Sequence, residues 1–169
     1  MKRRAHNVNT VFTERSRTML ELKAKNQSST DHEMDLALWY ARQAELLRES
    51  RFDQLDVNNL IDELEAAVGN LRRELSSRIE VLLTHLLKCQ FQPQRISRSW
   101  LNTLDEQRSQ IAKLLDENRS LGPGVTDVAA KVYPLSVRRA VTQTGLPRST
   151  FPLLNPYSKD QLFDFDFVP

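Results

Sequence analysis

The sequence predicts an all-α protein, a bundle of four main helices closed by an irregular, aromatic-rich C-terminal tail. Three observations predict it. Only four glycines occur in 169 residues, and Leu, Glu, Arg, Gln and Ala, which lose least on entering a helix, recur throughout. Apolar side chains repeat at mixed spacings of three and four, most plainly between Val57 and Phe91, which is the period of a helix face. Hydrophobic residues make up 40% and charged residues 27%, the composition of a chain that buries a core rather than one that stays disordered.

Residues 1–30 carry seven Lys/Arg against two Glu, a net +5, so the remainder of this +2 chain sums to −3. Basicity belongs to this first segment alone and does not mark the whole chain as nucleic-acid binding. Val8, Val11, Phe12, Met19 and Leu22 fall near one helical face. A basic amphipathic arm of this kind can touch nucleic acid or anionic lipid. The plainer expectation, which we prefer, is a loose arm or an upstream extension, with Met34 as an alternative start. A single helical domain is expected over 31–169.

Thr30-Asp31-His32-Glu33 fits a capping box, which satisfies two orphan amides at a helix start. The first helix is therefore expected over about 31–49, with Leu36, Trp39, Tyr40, Ala44 and Leu47 on one face. Asp56 is the expected N-cap of the second helix, about 57–92. Its seam is Ile61, Leu64, Val68, Leu71, Leu75, Ile79, Leu82, Leu86 and Cys89. A bend or brief break is expected at Gly69, because glycine costs about 1 kcal/mol inside a helix. Pro93 ends the run. Ser97 can cap a third helix to about 117, and the short link predicts an antiparallel neighbour. After the turn Ser120-Leu121-Gly122-Pro123-Gly124, a fourth helix runs over about 124–144. Gly145 suits its C-terminus, and a kink is expected at Pro134.

Four of the seven phenylalanines lie in the last 19 residues. Such a tail must dock on something apolar. Packing across its own bundle is the preferred expectation, and docking into a partner is the rival. The alternation Phe163-Asp164-Phe165-Asp166-Phe167 allows a short edge strand.

No glycine-rich phosphate loop, paired-cysteine motif, His-Glu-x-x-His signature or nucleophile elbow occurs, and these spacings are demanding enough for their lack to be informative. His85 and Cys89 lie one turn apart on one face, two ligands where a structural zinc site needs four. Cys89 also shares the heptad column of Ile61, Val68, Leu75 and Leu82, so it reads as core, and neither a metal nor a cofactor is expected. As the only cysteine, it suits a reducing compartment.

The neighbouring column runs Leu64, Leu71, Arg78, His85, Gln92 and turns polar halfway along. An antiparallel third helix brings Ser99, Thr103, Gln107 and Arg108 to similar heights. A polar cluster of Arg78, His85, Lys88, Gln92, Ser99, Thr103, Gln107 and Arg108 is therefore expected. A satisfied network that fixes helix register is the preferred reading. The alternative is a pocket with His85 as acid, base or anion binder and two arginines favouring an anionic ligand. The run Asp62, Glu63, Glu65 points several ways around a helix and reads as solvated charge.

At this point the chain resembles a known family. Arg51-Phe52-Asp53-Gln54-Leu55-Asp56 with Asn59-Leu60-Ile61-Asp62-Glu63-Leu64-Glu65 looks like the opening signature of domain of unknown function family 29. Ser77-Arg78, Val81-Leu82-Leu83, His85-Leu86-Leu87-Lys88 and Gln92-Pro93 resemble its centre. Ser99-Trp100, Arg108, Thr144-Gly145-Leu146-Pro147 and Thr150-Phe151-Pro152 resemble its later blocks. The likeness covers about Asp35 to Pro169, and it implies a small bacterial helical protein with no activity to carry over. Cys89 stands where the family usually has tryptophan, and Pro134 falls in a usually unbroken helix.

The sequence does not name an activity. The leading expectation is a cytoplasmic protein-interaction module that binds a protein partner or forms a homo-oligomer. The first alternative is an enzyme or anionic-ligand binder built on His85. The second is a nucleic-acid-binding accessory protein using residues 1–30 with Arg95, Arg98 and Trp100. No apolar run is long enough to span a bilayer, and none resembles a signal-peptide core.

Overall fold

A computed structural model describes residues 32–169, so the basic arm, Thr30 and Asp31 lie outside the described residues. Four long helices follow one another: α1 (Leu36–Arg48), α2 (Val57–Phe91), α3 (Arg98–Glu117) and α4 (Val125–Thr144), then a short α5 (Lys159–Phe163). Short 3-10 segments link them at Phe52–Gln54, Pro93–Arg95, Arg119–Gly124 and Arg148–Thr150. The all-α expectation holds. Chain contacts define two compact units, Met1–Ala67 and Val68–Pro169, and α2 contributes residues to both.

In the first unit residues 32–34 are already helical and Asp35 interrupts before α1, while the Thr30 cap expected for this start lies outside the described residues. Asp35 takes the cap, its carboxylate accepting from the Leu38 amide at 3.0 Å. The helix ends in a Schellman motif, with the Arg51 amide donating to Leu46 O at 2.9 Å and the Ser50 amide to Leu47 O at 3.2 Å. Ser50 sits at φ 57 to close it, a conformation that favours glycine. Trp39 and Leu46 of α1 are buried together with Leu55. Asp56 opens α2 as expected, its carbonyl accepting from the Leu60 amide at 2.9 Å. Its carboxylate, however, accepts from Asn59 Nδ2 at 2.8 Å and Trp39 Nε1 at 3.4 Å, while its own amide donates to Gln43 Oε1 at 2.9 Å.

The second unit holds the main core. Leu75, Ile79, Leu82, Leu83, Leu86 and Leu87 of α2 pack with Leu104, Ile111 and Leu114 of α3 and with Val125, Ala129, Val132, Tyr133, Val137 and Ala140 of α4. Small residues let α2 and α4 approach closely. Ser136 Oγ donates to the Glu80 carbonyl at 3.1 Å, and Thr84 Oγ1 reaches Ser136 O at 3.4 Å. α2 runs through Gly69 without interruption for 35 residues. α4 likewise continues on both sides of Pro134. Pro134 and Ala130 are both exposed, so water can reach the Ala130 carbonyl that loses its amide donor.

The tail lies across its own bundle. Phe151, Tyr157 and Leu162 are buried in the core, and Phe151 meets Phe91 edge-on at 5.1 Å. The expected strand over 163–167 does not form. Ser158 and Gln161 build a reciprocal capping box that starts α5 instead, and the carbonyls that a strand would pair are taken by Arg108.

Candidate functional site

Arg108 is 1% exposed, and its guanidinium is aimed at the tail. Nε donates to Leu162 O at 3.1 Å, Nη1 to Phe165 O at 3.4 Å, and Nη2 to Gln161 O at 3.3 Å and Phe167 O at 2.8 Å. A planar fork with five donors can hold several carbonyls at once, which a lysine cannot. Burial lowers the guanidinium's pKa, and Asp105 and Asp164 act against that shift. The residue that suggested an anion site is a clamp for the C-terminal backbone.

The remaining expected residues divide among other tasks. Arg78 is held along its own helix by Glu74, Nε donating at 2.9 Å and Nη2 at 2.7 Å. Ser99 is exposed, its carbonyl accepting from Thr103 Oγ1 at 2.9 Å. Gln107 is half-buried. Lys88 in the last turn of α2 and Gln92 just past its end both reach the C-terminal end of α4. Lys88 Nζ donates to Gln143 Oε1 at 2.8 Å, and Gln92 Nε2 to the Thr144 carbonyl at 3.0 Å.

That placement has a physical cause. The last carbonyls of a helix lack intrahelical donors and carry its negative pole, so an amide and an ammonium are the groups that such an end accepts. Gly145, at φ 72, closes the same end by donating its amide to Val141 O at 2.9 Å. Lys88 is 6% exposed and lies 4.2 Å above the Trp100 ring centroid, a favourable seat for a desolvated cation. Burial nonetheless lowers its pKa. One face of Trp100 is thereby occupied by Lys88. His85, half-buried on the same helix, donates from Nδ1 to Val81 O at 3.0 Å. Its pKa is lowered by burial first and by Lys88 next, against the Val81 carbonyl, which raises it. Cys89 is buried in the core, and burial pushes its thiol pKa up. Gln143 and Thr144 are what the sequence reading missed. The signal was there, since a helix ending at Gly145 needs donors for its final carbonyls.

The second unit carries at least two clefts among the described residues. One, of about 310 Å³, is lined by Glu80, Leu135, Arg138, Arg139, Thr142 and Gln143, with Glu80 already paired to Arg139 at 2.7 Å. The larger, about 620 Å³, has Val68, Leu71, Leu75, Leu121 and Val128 as its apolar lining and carries Arg72 and Lys131. Neither Arg72 nor Lys131 has an ion-pair partner among the described residues. Among the described residues no buried side-chain polar atom lacks a partner, and no helix is long and apolar enough to cross a membrane.

Comparison with curated proteins returns no match, and neither does comparison with solved structures. The helices that carry the clamp, the capped end of α4 and the larger groove all fall within residues 32–168, the span matched by the profile described as "Domain of unknown function DUF29". The chain belongs to the DUF29 family.

Proposed function

We propose that the chain is a helical protein-interaction module. The observation that carries this reading is an apolar surface left exposed among the described residues. Val57, Ile61 and Leu64 stand exposed at helical spacing on α2, with Leu64 at 66%, and the second unit offers the larger apolar groove. Monomeric surfaces seldom leave such features without a use. The polar groups support the same choice, because Lys88, Gln92 and Arg108 are spent on the end of α4 and the tail backbone and Arg78 is paired with Glu74. A buried, unpaired cysteine suits a reducing cytoplasm, which is where we place the protein.

Photo-crosslinking in the native cell tests the reading. A photoreactive side chain is placed at Leu64, at Lys131 or, as a control, at Leu153, which is 84% exposed and outside the groove. Protein adducts are expected from the first two positions and not from the third. Equal yields at all three would sink the proposal.

A further inference from the structure

We infer that the partner is an acidic amphipathic helix, seated in the larger groove with its apolar face down and its carboxylates on Arg72 and Lys131. The inference rests on the interaction reading above and concerns the second unit alone.

The lining has the repeat of a helix seat. Val68, Leu71 and Leu75 recur at i, i+3 and i+7 along α2, and Val128 of α4 with Leu121 of the preceding turn supply the rest of the apolar surface. Leu71, Leu121 and Val128 pack against the core on one side and line the groove with the other. Val68 is 45% exposed, so this cleft of about 620 Å³ is an open trough rather than a cavity that closes around a small ligand. An amphipathic helix fills such a trough with apolar anchors about one turn apart, in step with the repeat of α2.

Charge selects which helix. Arg72 of α2 and Lys131 of α4 are exposed and line the groove, and they lack ion-pair partners among the described residues. No Asp or Glu is among the lining residues. Carboxylates close by in sequence do not answer them: Glu74 pairs with Arg78 and Asp116 with Arg119, and Asp127, four residues before Lys131, makes no ion pair with it. The smaller cleft gives the contrast, since its Arg139 is met by Glu80 at 2.7 Å. Because the two cations stand on different helices, they can meet carboxylates on both edges of an incoming apolar stripe, and edge pairs of this kind set partner choice and orientation. Neither end of this chain suits the place. Residues 1–30 carry a net +5, the sign of the groove itself, and the acidic aromatic stretch 163–167 is held by Arg108.

Fluorescence anisotropy of the full chain with two labelled helical peptides of roughly 18 residues tests the proposal. Both carry one leucine stripe; one has Glu along its edges and the other Lys. The Glu peptide is expected to bind at least about tenfold more tightly than the Lys peptide. Arg72→Glu combined with Lys131→Glu should reverse that preference, and Val68→Gln should weaken both peptides. Circular dichroism should show unchanged helicity, since all three side chains are exposed. Equal binding of the two peptides, binding of neither, or a preference that survives the double reversal overturns the inference. So does dodecanoate binding that depends on Arg72 and Lys131 while the Glu peptide fails to bind, which would make the groove a site for a small amphiphile. Protein adducts from position 131 in the cell, without a preference for the Glu peptide, overturn the acidic-helix assignment and leave the interaction reading standing. No protein adduct at either position 64 or 131 overturns both.

Discussion

The two ends of α2 carry the same apolar repeat and meet opposite fates. From Leu75 to Cys89 the helix is buried on several sides, with Leu82, Leu83, Leu86 and Leu87 fully enclosed by α3, α4 and the tail. From Val57 to Val68 the repeat continues, but Ile61 is 49% and Leu64 66% exposed. Periodicity reports which side of a helix wants cover. What covers it depends on how much chain is at hand.

The largest effect should come from testing that contrast directly. Leu86→Ala is expected to cost about 2–5 kcal/mol, since an enclosed leucine leaves a cavity as well as losing transfer energy. Leu64→Ala, at a side chain 66% exposed, should cost about 0.5 kcal/mol or less. Urea unfolding measures both, and equal costs would mean that the first half of α2 is as enclosed as the second. Arg108→Met should follow, at about 2–3 kcal/mol, because several carbonyls lose a charged donor at once. Limited proteolysis should then cut within residues 158–169 before the helices open. A tail that stays protected would show that Phe151, Tyr157 and Leu162 hold it without the clamp.

The fold was largely legible because each helix has its own local grammar. Ser97 caps α3 as expected, Gly145 ends α4, and the break between α1 and α2 falls at Ser50-Arg51. The errors share a cause. The strand expected at 163–167 ignored that Arg108, more than fifty residues earlier, would take its carbonyls. The candidate cluster was drawn from heptad columns on α2 and α3 alone. Lys88 and Gln92 turn instead to the end of α4, because a bundle of three helices offers each polar residue two neighbours and spacing cannot choose between them. The groove was hidden for the same reason, since the turn containing Leu121 reaches Leu71 and Leu75 only in three dimensions.

Gly69→Ala sharpens the comparison from the other side. The helix is continuous through Gly69, so the break does not form and glycine contributes backbone freedom to the unfolded chain. An added Cβ would meet Arg73 Nη1 at 3.2 Å, the far end of an exposed side chain that can shift. The substitution should stabilise by about 0.5–1 kcal/mol, read as a rise in the urea midpoint. A loss would mean that the helix relies on glycine at this point after all.

The smallest effect expected is the pH response of His85, and its sign follows from burial. The folded chain holds this imidazole below its ordinary value of 6.5, so across the window between the folded and ordinary values the unfolded chain binds more protons. Stability must therefore rise with pH through that window and fall on acidification. Once both states are neutral, above 6.5, the effect is gone. His85→Gln keeps a side chain that can donate to Val81 O and removes the titration. Its unfolding free energy should drop less than the wild type's between about pH 7.5 and pH 5. A variant that loses as much as the wild type would place the acid sensitivity elsewhere. A wild type stabilised by acid would mean that His85 gains a charged partner in the folded chain, the one outcome that would return it to candidacy as an anion-binding group.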